Sequence, residues 1–102
     1  MEEKNSLQEV QLLEQNLQNI IFQKQAFQME LSETESALKE VEDAGDEVFK
    51  IIGGLMIKSN KPKILEELRR KQKMLSLRMK TLDNQEKAIS EKLESLRNEL
   101  TK

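Results

Sequence analysis

The sequence predicts a mainly α fold: a long antiparallel two-helix coiled coil with one β-hairpin between the helices. Three observations carry this. An apolar stripe of heptad period runs through residues 5–43, a second runs through residues 61–101, and two short β-branched and aromatic runs flank Gly53-Gly54 between them. The composition agrees. Charged residues make up 35% of the 102-residue chain and aromatics 3%, with no Trp and no Tyr, so a thick core of bulky rings is out of reach. A narrow aliphatic seam remains, the compositional mark of long helices. One domain over residues 1–102 is expected.

In the first arm, Val10, Leu13, Leu17, Ile20, Lys24, Phe27, Leu31, Thr34, Leu38 and Val41 step by alternating threes and fours. Eight of these ten are apolar, which is the 3.5-residue average of a coiled-coil seam. No Gly or Pro interrupts it before Gly45, which is expected to end the helix in the left-handed C′ conformation. The last arm repeats the pattern in Leu65, Leu68, Gln72, Leu75, Met79, Leu82, Glu86, Ile89, Leu93, Leu96 and Leu100, nine of eleven apolar. Ser59-Asn60 are its capping candidates, and Pro62 suits a first helical turn.

Pairing residue i with residue 106 − i matches the two seams step for step, Val41 with Leu65 through Val10 with Leu96. The polar exceptions then meet: Thr34 faces Gln72, and Lys24 lies close enough to Glu86 for an ion pair. Charge favours the same fold. Residues 1–43 carry ten acids and three bases (−7), and residues 61–102 carry twelve bases and seven acids (+5). Folding back brings Glu30, Glu33 and Glu35 near Arg69, Arg70, Lys71 and Lys73. A parallel homodimer of long helices is the alternative, since a seam alone does not choose its partner.

Between the arms, residues 46–59 read as a β-hairpin. The sequence Val48-Phe49-Lys50-Ile51-Ile52 precedes Gly53-Gly54, and Leu55-Met56-Ile57-Lys58-Ser59 follows. Both glycines tolerate the positive φ of a primed two-residue turn. An isolated hairpin is marginal in water and its open edges invite pairing. Val48, Phe49, Ile51, Ile52, Gly53, Gly54, Leu55, Met56 and Ile57 are therefore expected to form an assembly element that joins strands of other subunits. The other reading is a cap folded over the Val41–Leu65 end.

Several functions are excluded. With no Cys and no His, the chain lacks a thiolate nucleophile, a zinc-finger spacing and the commonest general base. Glu66-Glu67 and similar pairs sit on helix surfaces, which gives paired-carboxylate catalysis no pocket. Gly53-Gly54 lacks the strand–helix context of a phosphate loop. The basic run from Arg69 to Lys80 has no interleaved aromatics and faces acids, so nucleic acid is not expected. No enzyme activity, metal or cofactor is anticipated. No apolar run approaches the ~20 residues of a membrane span. The Met1–Asn5 start has no signal-peptide character, so a cytoplasmic protein is expected.

Taken together, Gln18-Asn19-Ile20-Ile21-Phe22-Gln23-Lys24-Gln25, Ala37–Glu42, Val48–Gly53 with Leu55–Lys58, and Leu75–Leu82 leading to Gln85-Glu86 resemble the β-type class of prefoldin subunits. The likeness covers nearly the whole chain, and the single hairpin separates it from the two-hairpin α type. The resemblance implies an ATP-independent co-chaperone of two α-type and four β-type subunits. Their hairpins would join in intersubunit β-barrels. The coiled-coil tips would hold unfolded proteins and pass them to a group II chaperonin. In the antiparallel register both chain termini lie at the free tip, where Ser6 meets Leu100. Leu7, Val10, Leu12, Leu13, Leu93, Leu96 and Leu100 are the candidate client-binding residues. Leu7 and Leu12 lie off the seam, so client contact explains them best, whereas Val10, Leu13, Leu93 and Leu96 also serve as ordinary seam residues. Phe22, likewise off the seam, is read as a scattered surface residue. A coiled-coil tether that binds no client is the competing reading.

Overall fold

The computed structural model describes residues 2–101, with side-chain surroundings described from Asn5 to Thr101. The order of elements is α1 (Glu2–Asp43), β1 (Glu47–Ile52), β2 (Leu55–Asn60) and α2 (Lys61–Thr101). The sequence expectation of two long helices with a hairpin between them is met. α1 begins at Glu2, ahead of residue 5, because Glu2-Glu3-Lys4 offers no helix breaker. The chain divides into two compact units, one holding the parts of α1 up to Phe27 and of α2 from Arg78, the other running from Gln28 to Leu77.

In the first unit the seam of α1 meets that of α2 in antiparallel sense. Val10, Ile20, Leu82 and Leu93 are buried, and Leu13, Leu17, Phe27, Met79, Ile89, Leu96 and Leu100 are half-buried. Every expected seam position here is shielded, and the off-seam residues Leu12 and Phe22 are exposed. Ion pairs bracket the seam: Glu9 with Lys92 at 3.2 Å and Glu14 with Arg97 at 2.5 Å. In both pairs α1 supplies the acid, as the opposite charge of the two arms requires. The pairs are solvent-exposed, so each contributes at most about 1 kcal/mol. They set register more than they add stability. The Arg78 guanidinium lies over the Phe27 ring, 5.7 Å from its centroid.

The second unit holds the hairpin and the helix segments that flank it. Leu38, Leu75 and Thr34 are buried, with Leu75 only 1% exposed. Glu42 pairs with Arg69 at 3.6 Å and Glu30 with Lys71 at 3.2 Å, while Arg70 turns to Glu66 on its own helix. Of the two polar seam residues expected here, Thr34 is buried and Gln72 half-buried. The Thr34 hydroxyl donates to the Glu30 carbonyl at 2.8 Å, one turn back in the same helix. A short hydroxyl in a helix reaches its own i−4 carbonyl without leaving the turn, so it needs no partner across the seam.

The end of α1 also corrects the sequence reading. Gly45 does not take the left-handed conformation; among the described residues positive φ occurs only at Gly53 and Gly54. The Ala44 amide closes the last turn on the Val41 carbonyl at 3.2 Å. The Lys61 ammonium, at the first position of α2, donates to the carbonyls of Glu42 at 2.7 Å and Ala44 at 3.0 Å. Those carbonyls are among the orphan acceptors of a helix C-terminus. With a cation on them, no glycine-based reversal is required.

The hairpin pairs β1 with β2 antiparallel from Glu47↔Asn60 to Ile52↔Leu55. Gly53 (φ 54°) and Gly54 (φ 83°) make the turn, both left-handed as a type I′ turn demands. β2 runs into α2 with no linker. The Asn60 side chain accepts from the Lys63 amide at 2.9 Å, the N-cap bond expected of it, ahead of Pro62 in the first turn.

Candidate functional surfaces

The hairpin carries six exposed large apolar side chains on its two strands: Phe49, Ile51, Ile52, Leu55, Met56 and Ile57. Alternation along each strand places Val48, Lys50 and Ile52 with Leu55, Ile57 and Ser59 on one face, and Phe49 and Ile51 with Met56 and Lys58 on the other. Of these only Val48 is buried, at 9% exposure. Phe49, Ile51, Ile52, Leu55, Met56 and Ile57 lie between 45% and 71% exposed. A hairpin closed over the helices as a cap would hide one face completely. Here the base of one face is covered at Val48, and its outer part and the whole second face are open. A two-stranded sheet also leaves each strand with one unpaired edge. Unsatisfied edges beside bare apolar side chains are the chemistry of strand addition.

A second surface lies in the first unit, near the ends of both helices. The seven leucine and valine candidates divide there. Leu7 and Leu12 are exposed at 53% and 57%, as their off-seam positions require. Val10 and Leu93 are seam core, at 9% and 2%, while Leu13, Leu96 and Leu100 are half-buried. Gln8, Gln11 and Gln15, also exposed, surround the two open leucines with neutral amide side chains. This patch carries apolar anchors and amides able to donate and accept, with no fixed charge between Glu9 and Glu14.

Deeper in the first unit, Lys24 occupies a seam position and its ammonium meets two carboxylates, Asp83 at 2.6 Å and Glu86 at 2.5 Å. The hydrogen bond to Asp83 first, and that to Glu86 second, raise the Lys24 pKa above its ordinary 10.5. Glu86 is the partner that the seam register anticipates. Asp83, one turn earlier, could be found only from the path of the lysine side chain. The second unit has a counterpart. Lys50 of β1 reaches Glu67 of α2 at 2.9 Å, and that bond lowers the Glu67 pKa below 4.5.

Sequence reasoning missed Lys50–Glu67 and the Lys61 cap. One local clue existed for Lys61. The first turn of α2 holds two lysines and no acid, a placement that the helix dipole opposes. A cation in an unfavourable local position points to a partner elsewhere in the fold. Among the described residues no group of three or more Asp, Glu, His or Cys side chains could hold a metal ion. No described helix is long and apolar enough to cross a membrane.

Comparison with known proteins gives one consistent answer. The family model described as "Prefoldin subunit" matches residues 4–102. The prefoldin subunit beta of Thermococcus onnurineus is 44% identical over 85 residues, covering 81% of this chain and 73% of that one. That of Pyrobaculum islandicum is 39% identical over 88 residues, covering 84% and 70%. Among solved structures, the prefoldin beta subunit of Thermococcus strain KS-1 superposes with a TM-score of 0.90 at 36% identity, over 97% of this chain and 89% of that one. The beta2 subunit of the same strain shares the fold, with a TM-score of 0.73 at 21% identity, over 93% and 99%.

Proposed function

This chain belongs to the prefoldin subunit family, and from that premise we propose that it is an ATP-independent holdase subunit, a single-domain arm that holds unfolded proteins at its free tip. Its function is of the chaperone type, its relatives are chaperone subunits and not enzymes, and prefoldin subunits assemble with one another. The finer reading is a complex of two α-type subunits and four copies of this one in the cytoplasm. The hairpins join in β-barrels, and the tips pass clients to a group II chaperonin.

The observation that supports client binding is the exposure of Leu7 and Leu12, which lie off a seam whose own apolar residues are shielded. Burying apolar area returns roughly 25 cal/mol per Å², whatever the sequence of the client. Val10, Leu13, Leu93, Leu96 and Leu100 join them when the last turns separate, and helix ends separate at low cost. No nucleotide is needed, because weak contacts from several arms add through effective concentration.

Removing residues 1–13 and 93–102 tests this. The trimmed subunit is expected to assemble and to lose suppression of client aggregation. Equal protection by the trimmed and intact complexes would sink the tip mechanism and favour the tether.

A further inference from the structure

The hairpin that exposes most of its apolar side chains has little apolar contact with which to fix its direction. Val48 is its one buried side chain, and the two connections to the helices are minimal. On one side Asn60 passes directly into Lys61. On the other, Ala44-Gly45-Asp46 links α1 to β1, and a Cβ added at Gly45 would meet nothing within 4 Å. Two lysines supply what packing does not. Lys61 ties the start of α2 to the end of α1 through the Glu42 and Ala44 carbonyls, at 2.7 and 3.0 Å. Lys50 ties the middle of β1 to Glu67, two turns into α2, at 2.9 Å with both side chains 40% exposed. The two Lys61 bonds lie where the strands leave the helices, and the Lys50–Glu67 pair lies midway along the sheet. Charge-assisted bonds are directional in a way apolar contact is not.

We infer that Lys50, Glu67 and Lys61 are positioning residues for assembly: they aim the hairpin so that its open edges and apolar faces meet the strands of neighbouring subunits. This rests on the assembly role proposed above for the hairpin. Two consequences separate posture from mere stability. A docking step governed by apolar burial is nearly indifferent to NaCl. One that depends on partly exposed ion pairs weakens as the screening length falls from about 10 Å at 0.1 M to about 3 Å at 1 M. Charge also carries no memory of which residue bears it, so exchanging the partners of the Lys50–Glu67 pair preserves the posture.

The test is assembly with the α-type partner subunit from the same source, read as complex mass and as affinity over a NaCl series. The double variant Glu67→Gln with Lys61→Met is expected to keep its helical circular dichroism as a free subunit. Its assembly affinity is expected to fall at least tenfold and to depend less on NaCl than that of the native chain. The exchanged pair, Lys50→Glu with Glu67→Lys, is expected to return to within about threefold of native, whereas Glu67→Lys alone does not. Native affinity in the double variant would overturn the inference. So would failure of the exchanged pair to recover, or loss of helix in the free variant, which would make the residues merely structural. Ile51→Asp separates the two levels: if that change also leaves assembly intact, the hairpin's assembly role itself is wrong.

Discussion

Leu75 is 1% exposed, and its neighbour Met74, one residue away on the same helix, is 54% exposed. Heptad stepping alone distinguishes them, since 75 falls on the seam and 74 does not. Truncating a buried leucine removes its transfer free energy and leaves a cavity, so Leu75→Ala is expected to cost about 2–5 kcal/mol. Met74→Ala is expected to stay within about 0.5 kcal/mol. Urea unfolding of the isolated subunit measures both, and equal costs would place the seam elsewhere. Thr34 shows the limit of the same logic. Its burial was readable from its position, but the partner of its hydroxyl was not, because a bond inside one turn competes with every partner across the seam.

The hairpin and the two helices are each specified by different local physics. Gly53 and Gly54, at φ 54° and 83°, sit where an L side chain pays about 1–2 kcal/mol of steric cost. Space is not the constraint, as a Cβ at either position meets nothing within 4 Å. Gly54→Ala is therefore expected to weaken the hairpin through φ alone, and Gly53→Asn to be nearly neutral, since asparagine tolerates the left-handed region. Hydrogen-exchange protection of the β1–β2 amides distinguishes the two. Equal loss of protection in both would mean that the type I′ turn is not what holds the register. The helices need no such special residue. Their uninterrupted heptads make them, and the cap at Asn60 together with the Lys61 bonds to Glu42 and Ala44 set where they start and stop.

For the whole molecule, charge is distributed so that ion pairs link elements distant in sequence, and this gives its stability a pH signature. Glu67 has its pKa lowered by Lys50, so it contributes stability that is present above its unfolded value of 4.5 and is lost as pH falls through the folded value. Lys24 has its pKa raised by Asp83 and Glu86, so its contribution is full below 10.5 and is lost as pH rises through its folded value. A stability plateau between those limits is expected. Glu67→Gln should flatten the acid limb, and Lys24→Met the alkaline one. Thermal unfolding of the subunit across pH measures this, and unchanged limbs in both variants would show that other groups govern them.

The helices, their shielded stripe, the hairpin with its glycine turn and the family resemblance were legible in the sequence. Each follows from short-range periodicity or from the conformational needs of single residues, and those leave a mark on composition. The choice of the antiparallel pairing that joins Lys24 to Glu86 over a parallel homodimer came from the fold. The heptad already separates Leu7 and Leu12 from the seam; the folded backbone decided how deeply each seam member is covered, with Val10 and Leu93 closed and Leu13, Leu96 and Leu100 only half-buried. It also decided that the hairpin stands open on lysine bonds, and that a lysine sixteen residues beyond Gly45 completes the end of α1 where a glycine was expected. Such bonds join groups distant in sequence through long flexible side chains. A lysine's reach covers many acceptors, and only the folded backbone selects among them.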